Sequence, residues 1–133
     1  MITLDKALKM IDMAVSHASG LKELVTVAVV DKYGVMIASQ KMDGALVISP
    51  KFAMAKAYTS AVLCLATADI AKYATPGMPY YGTTSAFEGE LMVIPGGIPI
   101  VENGEVVGAI GVGGSHDVNK DVACAQAGLD SLK

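Results

Sequence analysis

Apolar side chains recur at helical spacing in three stretches of this chain, which predicts three main helices. The first covers residues 3–18, and the second covers 50–66 after the start signal Ser49-Pro50. The third covers 117–132, while residues 67–73 predict one or two further helical turns. The face of the first helix that we expect in the core comprises Leu4, Ala7, Leu8, Ile11, Ala14, Val15 and Ala18.

Two other stretches predict β-hairpins. Residues 24–31 are apolar and β-branched, residues 31–34 have type I turn chemistry, and residues 35–42 form the returning strand. In the second hairpin, Asn103-Gly104 supplies the residue types that best tolerate positive φ at a type I′ turn. The strand after this turn, 106–112, is apolar on both faces, so we expect it to be covered on both sides.

Glycines interrupt the second hairpin and its approach. Gly108 and Gly111 lie inside a strand, where a missing side chain is typical of close contact with another segment. Pro95-Gly96-Gly97 predicts a backbone corner whose amides are open to a ligand, and residues 91–94 can add a short strand before it. The order of elements predicts a single α+β domain over residues 1–133, with helices packed on a mainly antiparallel sheet.

Composition narrows the range of partners. All ten basic residues are lysines, the net charge is −3 and there is no tryptophan, which disfavours nucleic-acid binding. Although 53% of the residues are hydrophobic, no apolar run reaches the roughly 18 residues that span a bilayer, so we expect no membrane association. We expect the apolar excess at subunit interfaces. Two cysteines and no signal-peptide pattern predict a reduced, cytoplasmic location.

The polar side of the first helix carries an unusual stripe. Lys6, Met10, Met13 and His17 follow one another at spacings of three or four residues, opposite the expected core face. An outward apolar stripe is most often a subunit interface. However, an imidazole flanked by thioethers also suits an iron porphyrin, which needs an axial ligand and an apolar wall.

Lys56 is the one charge in the second helix beyond Lys51. The simpler interpretation is a stem that covers apolar surface while its ammonium reaches water. The alternative is a lone cation that faces an anionic group of a ligand.

Other patterns argue against familiar sites. Gly111-Val112-Gly113-Gly114 fails the dinucleotide fingerprint, because His116 occupies its last position. Cys64 and Cys124 lack the paired spacing of a zinc site, and we expect both as small core residues. No catalytic set can be assembled around the two histidines, so the residues do not argue for catalysis.

Five segments together resemble the GlcG/HbpS family, which includes the C-terminal domain of PduO-type corrinoid adenosyltransferases. They are Val27–Asp31, Met42–Ala45, Lys56–Ala61, Pro95–Ile100 with Gly108–Val112, and Asp121–Leu129. The resemblance implies a profilin-like α/β sandwich on a five-stranded antiparallel sheet, and dimers that assemble further, often to octamers. It also implies association with haem, with glycolate use, or with diol or glycerol dehydratase operons. A first-helix histidine acts as a haem ligand in the PduO-type domain, and His17 occupies that place here.

The main hypothesis from the sequence is therefore a cytoplasmic, oligomeric ligand-binding protein with haem as the leading ligand. His17 would ligate iron, Met10 and Met13 would contact the ring, and Lys56 would meet an acidic group if the pocket lies on its side. Gly96 and Gly97 are further candidate ligand contacts. One alternative is a non-catalytic accessory or scaffold protein of a catabolic operon. Another is an enzyme that acts on a small organic acid or aldehyde through Asp43, Lys56 and Gly96-Gly97.

Overall fold

The computed structural model describes residues 1–133 as four α-helices and four β-strands. The helices are α1 (Leu4–Gly20), α2 (Ser49–Leu63), α3 (Thr67–Ala71) and α4 (Val118–Asp130). The strands are β1 (Thr26–Asp31), β2 (Met36–Lys41), β3 (Gly97–Glu102) and β4 (Glu105–Gly113). None of the helices has the length and apolarity needed to cross a membrane.

Both predicted hairpins are present, and local chemistry explains where several elements begin. Asn103 and Gly104 have φ values of 51° and 80°, as a type I′ turn requires. Thr3 caps α1 by accepting a hydrogen bond from the N–H of Lys6, and Asp117 caps α4 in the same way. The α+β class predicted from the order of elements is therefore confirmed.

The sheet has four strands in the order β2-β1-β4-β3, and every neighbouring pair is antiparallel. The five-stranded sheet implied by the family resemblance is therefore wrong for this chain. Residues 91–94 do not form the additional strand, and the N–H of Met92 donates instead to the hydroxyl of Thr59 on α2. The profilin-like arrangement stays a prediction.

The two central strands, β1 and β4, carry a core on each face. Val27 and Val29 point with Ile110 toward α1 and α4, whereas Ala28 and Val30 pack with α2. This alternation produces three layers, with α1 and α4 on one side of the sheet and α2 on the other. Burial on both faces explains why β4 is apolar from Val106 to its end.

Small residues let α2 lie directly on the sheet. A Cβ atom at Gly111 would collide with the carbonyl oxygen of Ala53 and the backbone nitrogen of Ala57. A Cβ atom at Gly97 would collide with the carbonyl oxygen of Lys56. The close approach predicted from the glycines inside the second hairpin is therefore confirmed.

The buried face of α1 differs from the predicted one. Met10 is fully buried in the core, so the expectation that it shares an outward face with Met13 and His17 is wrong. Leu4 and Leu8 are instead 55% and 42% exposed. The reason lies in the packing of α1 against α4, where the core face is centred on Ala7, Met10, Ile11, Ala14 and Ala18.

Candidate functional sites

His17 lies in the last turn of α1 and its side chain is exposed, as predicted. Met13, one turn earlier, is 46% exposed on the same side. A concavity of about 410 Å³ surrounds them and is lined by Met13, Ser16, His17, Gly20, Leu21 and Ala127 of α4. This volume falls within the range of about 300–1,000 Å³ that is usual for small-molecule sites.

The residues proposed from the sequence separate into three concavities. Lys56 belongs to α2, on the opposite face of the sheet from α1, and its concavity shares no residue with that of His17. Because the pocket at His17 does not lie on the Lys56 side of the sheet, Lys56 does not face an acidic group of a ligand bound at His17. Asp43 borders a third concavity with Val15 and Leu24, away from Lys56.

Lys56 is buried, with 2% of the residue exposed. Its ammonium donates to Asp121 Oδ2 over 3.1 Å and to the carbonyl oxygen of Val112 over 2.9 Å. The side chain thus runs from α2 to α4 past the end of β4, and the interpretation of a stem with its ammonium in water is wrong. Burial lowers the pKa of Lys56, and the charge of Asp121 opposes that change.

The glycine corner before β3 packs against this lysine. Gly96 has a φ of 137°, and a Cβ atom there would lie 2.8 Å from Lys56 Nζ. The N–H of Gly97 donates to Thr67 Oγ1 over 2.9 Å, so this amide is not open to a ligand as expected. The corner therefore shapes the surroundings of Lys56, and neither glycine lines the concavity at His17.

Asp121 is the partner that the sequence analysis missed. Its second oxygen, Oδ1, accepts the N–H of Ser115 over 3.1 Å, which fixes the carboxylate at the start of α4. The sequence does contain a sign that Asp121 is buried. It lies at helical spacing to Cys124, Ala125 and Gly128, the other buried residues of α4. An acidic residue within such a stripe predicts a buried partner of opposite charge.

A second buried carboxylate lies between the end of α1 and the start of α4. Glu23 accepts the backbone N–H of His116 and contacts its Nδ1 at 2.9 Å, and Lys120 donates to its other oxygen. These hydrogen bonds lower the pKa of Glu23 to about 2, and the one with the His116 side chain has the largest effect. His116 thus belongs to a structural cluster.

The two thiols have different surroundings. Cys124 is fully buried, and burial raises its pKa to about 11. Cys64 follows α2 with a φ of 57° and is exposed, so the expectation that it is a core residue is wrong. The structure contains no group of three histidine, cysteine or acidic residues that could hold a metal ion.

Comparison with known proteins identifies one family model and several relatives that cover most of this chain. The family model for haem degrading protein HbpS-like matches residues 2–130. A 15.0 kDa protein from the dhaT-dhaS intergenic region of Citrobacter freundii is 35% identical over 129 residues, which cover 97% of this chain and 90% of that protein. The corrinoid adenosyltransferase PduO of Salmonella typhimurium is 29% identical over 119 residues, or 90% of this chain and 35% of PduO.

Two solved structures have the same fold. The PduOC:heme complex is similar with a TM-score of 0.94 and 27% identity, over 98% of this chain and 94% of that one. A double mutant of HbpS from Streptomyces reticuli is similar with a TM-score of 0.89 and 30% identity, over 99% of this chain and 87% of that one.

Proposed function

This chain belongs to the HbpS-like family, and from that premise we propose that it is an oligomeric haem-binding protein with His17 as an axial ligand of the iron. The observation that carries the proposal is the similarity, over 98% of the chain, to a domain solved in complex with haem. A location in the cytoplasm is part of the proposal, which the two free thiols support.

The residues around His17 fit this ligand. An exposed imidazole offers an axial nitrogen, and the exposed parts of Met13 and Leu21 provide an apolar wall for a ring edge. Met10 has no place in this site, because the core encloses it. His17 would bind the iron while Met13 and Leu21 exclude water from one side of the ring. Bound haem would supply iron redox chemistry.

Exposed apolar side chains support the oligomeric part of the proposal. Leu46, Val47 and Ile48 follow one another before α2 and are 59%, 96% and 44% exposed. Contiguous exposed apolar side chains of this kind are typical of interaction surfaces. We propose that they contribute to contacts between subunits, from a dimer up to an octamer.

A second function, a non-catalytic accessory or scaffold protein, has one observation in its favour. The relative from Citrobacter freundii is encoded between dhaT and dhaS, so that relative lies beside other genes with which it could act as an accessory protein. A scaffold would use the same exposed apolar surface but would need no cofactor.

Titration of the purified protein with hemin separates the two functions. Haem binding predicts a saturable change of the Soret band that ends at one haem per subunit, with sedimentation giving the number of subunits in the same sample. A band that keeps rising in proportion to added hemin, as for free or aggregated hemin, would reject haem binding and favour the scaffold.

A further inference from the structure

A small cavity lies beside the buried Lys56–Asp121 pair, away from His17. Its volume is about 130 Å³, and its walls include Phe52, Ile94 and Val118. The volume is close to that of the roughly 150 Å³ enclosed cavity that accommodates benzene in another protein, but here the lining residues Leu46, Ile94 and Val118 are exposed, so the cavity opens to solvent on one side. The cavity therefore suits a molecule of about six non-hydrogen atoms.

The polar end of the cavity is formed by the pair itself. An ammonium has three N–H groups, and those of Lys56 have two acceptors, Asp121 and the carbonyl oxygen of Val112. One donor of Lys56 thus remains, and both Lys56 and Asp121 line the cavity.

The charge of the pair selects among small ligands. Lys56 and Asp121 neutralise each other within the same buried place, so a carboxylate ligand would add an uncompensated charge. A neutral carbonyl oxygen adds none and can accept the remaining N–H. Aldehydes and small ketones fit both the charge and the volume.

We propose that this cavity is a second site, in which the amine of Lys56 condenses with a small aldehyde or ketone to form an imine. Asp121 takes a proton from the ammonium, and the free nitrogen lone pair attacks the carbonyl carbon. The carbonyl oxygen receives that proton to give a carbinolamine. Its hydroxyl then leaves as water with a second proton from the nitrogen. The product is the protonated imine, which keeps the last of the three ammonium protons, and Asp121 is again a carboxylate.

Two further features of the site serve this reaction. The pKa of Lys56 is lowered by burial, which increases the fraction of neutral amine relative to a lysine in water. Phe52, whose ring centre lies 5.9 Å from Nζ, forms part of the apolar wall of the cavity beside the amine. The site requires no haem and is independent of the function proposed for His17.

Reductive trapping tests the proposal on the native protein. The protein is incubated with propanal and cyanoborohydride, and peptide mass spectrometry follows the propyl group at each of the ten lysines. The other nine lysines are exposed or half-buried, so simple accessibility would make Lys56 the slowest. We expect Lys56 to react at least about tenfold faster than their mean, since a neighbouring general base contributes factors of this order or larger.

Three controls define the outcomes. In denaturant, and with 2-naphthaldehyde, which is too large for the cavity, the preference for Lys56 should disappear. Asp121→Asn retains an oxygen acceptor but removes the proton acceptor, and should slow trapping at Lys56 about a hundredfold. If Lys56 is the least modified lysine of the native wild-type protein, the pair is structural and the proposal is wrong, whatever the variant does.

Discussion

Each buried charge in this protein is paired, and each pair joins segments that are far apart in the sequence. Lys56 of α2 bonds Asp121 of α4, and Glu23 bonds Lys120 of the same helix. Burying an unpaired charge would be strongly unfavourable, so these pairs require α4 to lie in one position. The two carboxylates thereby fix the N-terminal part of α4 against the rest of the chain.

Glu23 makes the free energy of unfolding depend on pH in the acidic range. Its pKa in the folded protein is about 2, below the ordinary value of 4.5, so the carboxylate stabilises the fold fully above pH 4.5. This contribution is lost as the pH falls from 4.5 toward 2. We expect Glu23→Gln to lower the free energy of unfolding above pH 4.5, and the difference from wild type to shrink on acidification, as urea unfolding at several pH values would measure.

Glu105→Gln is the matched control, because Glu105 is exposed in the second hairpin. This variant should follow the wild-type curve at every pH. A difference between Glu23→Gln and wild type that stays constant down to pH 2 would contradict the assigned pKa.

At the scale of elements, the contact between α2 and the sheet is made by backbone and small side chains. Ala53, Ala57 and Ala61 form the buried stripe of α2, and glycines of β3 and β4 face it. Such a contact has few flexible atoms that can move aside, so added volume must displace the helix itself. It also places Lys56 at the depth from which it reaches Asp121.

Gly111→Ala tests this packing directly. The new methyl group would meet the backbone of Ala53 and Ala57, and we expect a loss of about 1–3 kcal/mol in the free energy of unfolding. Gly20→Ala is the control, because a Cβ atom there has no neighbour within 4 Å, and its effect should stay within about 0.5 kcal/mol. Equal midpoints in urea for the two variants would contradict the close packing.

At the scale of the whole molecule, hairpins and helices were predictable because their signals are local. Asn103-Gly104 determines its own turn, and the glycines of β4 predicted the approach of α2. The buried face of α1 was not predictable in detail, since Leu4 and Leu8 are as apolar as Met10 and only the position of α4 distinguishes them. The family resemblance implied five strands, whereas the sheet has four.

The candidate sites were predictable to different degrees. The exposure of His17 followed from the amphipathic pattern of α1, which is a local property. The pairing of Lys56 with Asp121 spans 65 residues, and no spacing rule connects positions so distant. The sequence assigned His17 and Met10 to one site, added Lys56 only on a condition, and gave the glycine corner as a further candidate contact. The structure places His17 at the surface, Met10 in the core, and Lys56 beside the glycine corner on the other face of the sheet.

The central claim, that His17 ligates haem, is tested most directly by hemin titration of two histidine variants. The chain has two histidines, and both side chains are exposed, which makes His116 a matched control. We expect His116→Ala to keep the wild-type Soret spectrum and affinity. His17→Ala should lose the spectrum of imidazole-ligated iron and bind hemin at least about tenfold more weakly, a change of about 1.4 kcal/mol. Identical spectra and affinities for His17→Ala and wild type would contradict the account.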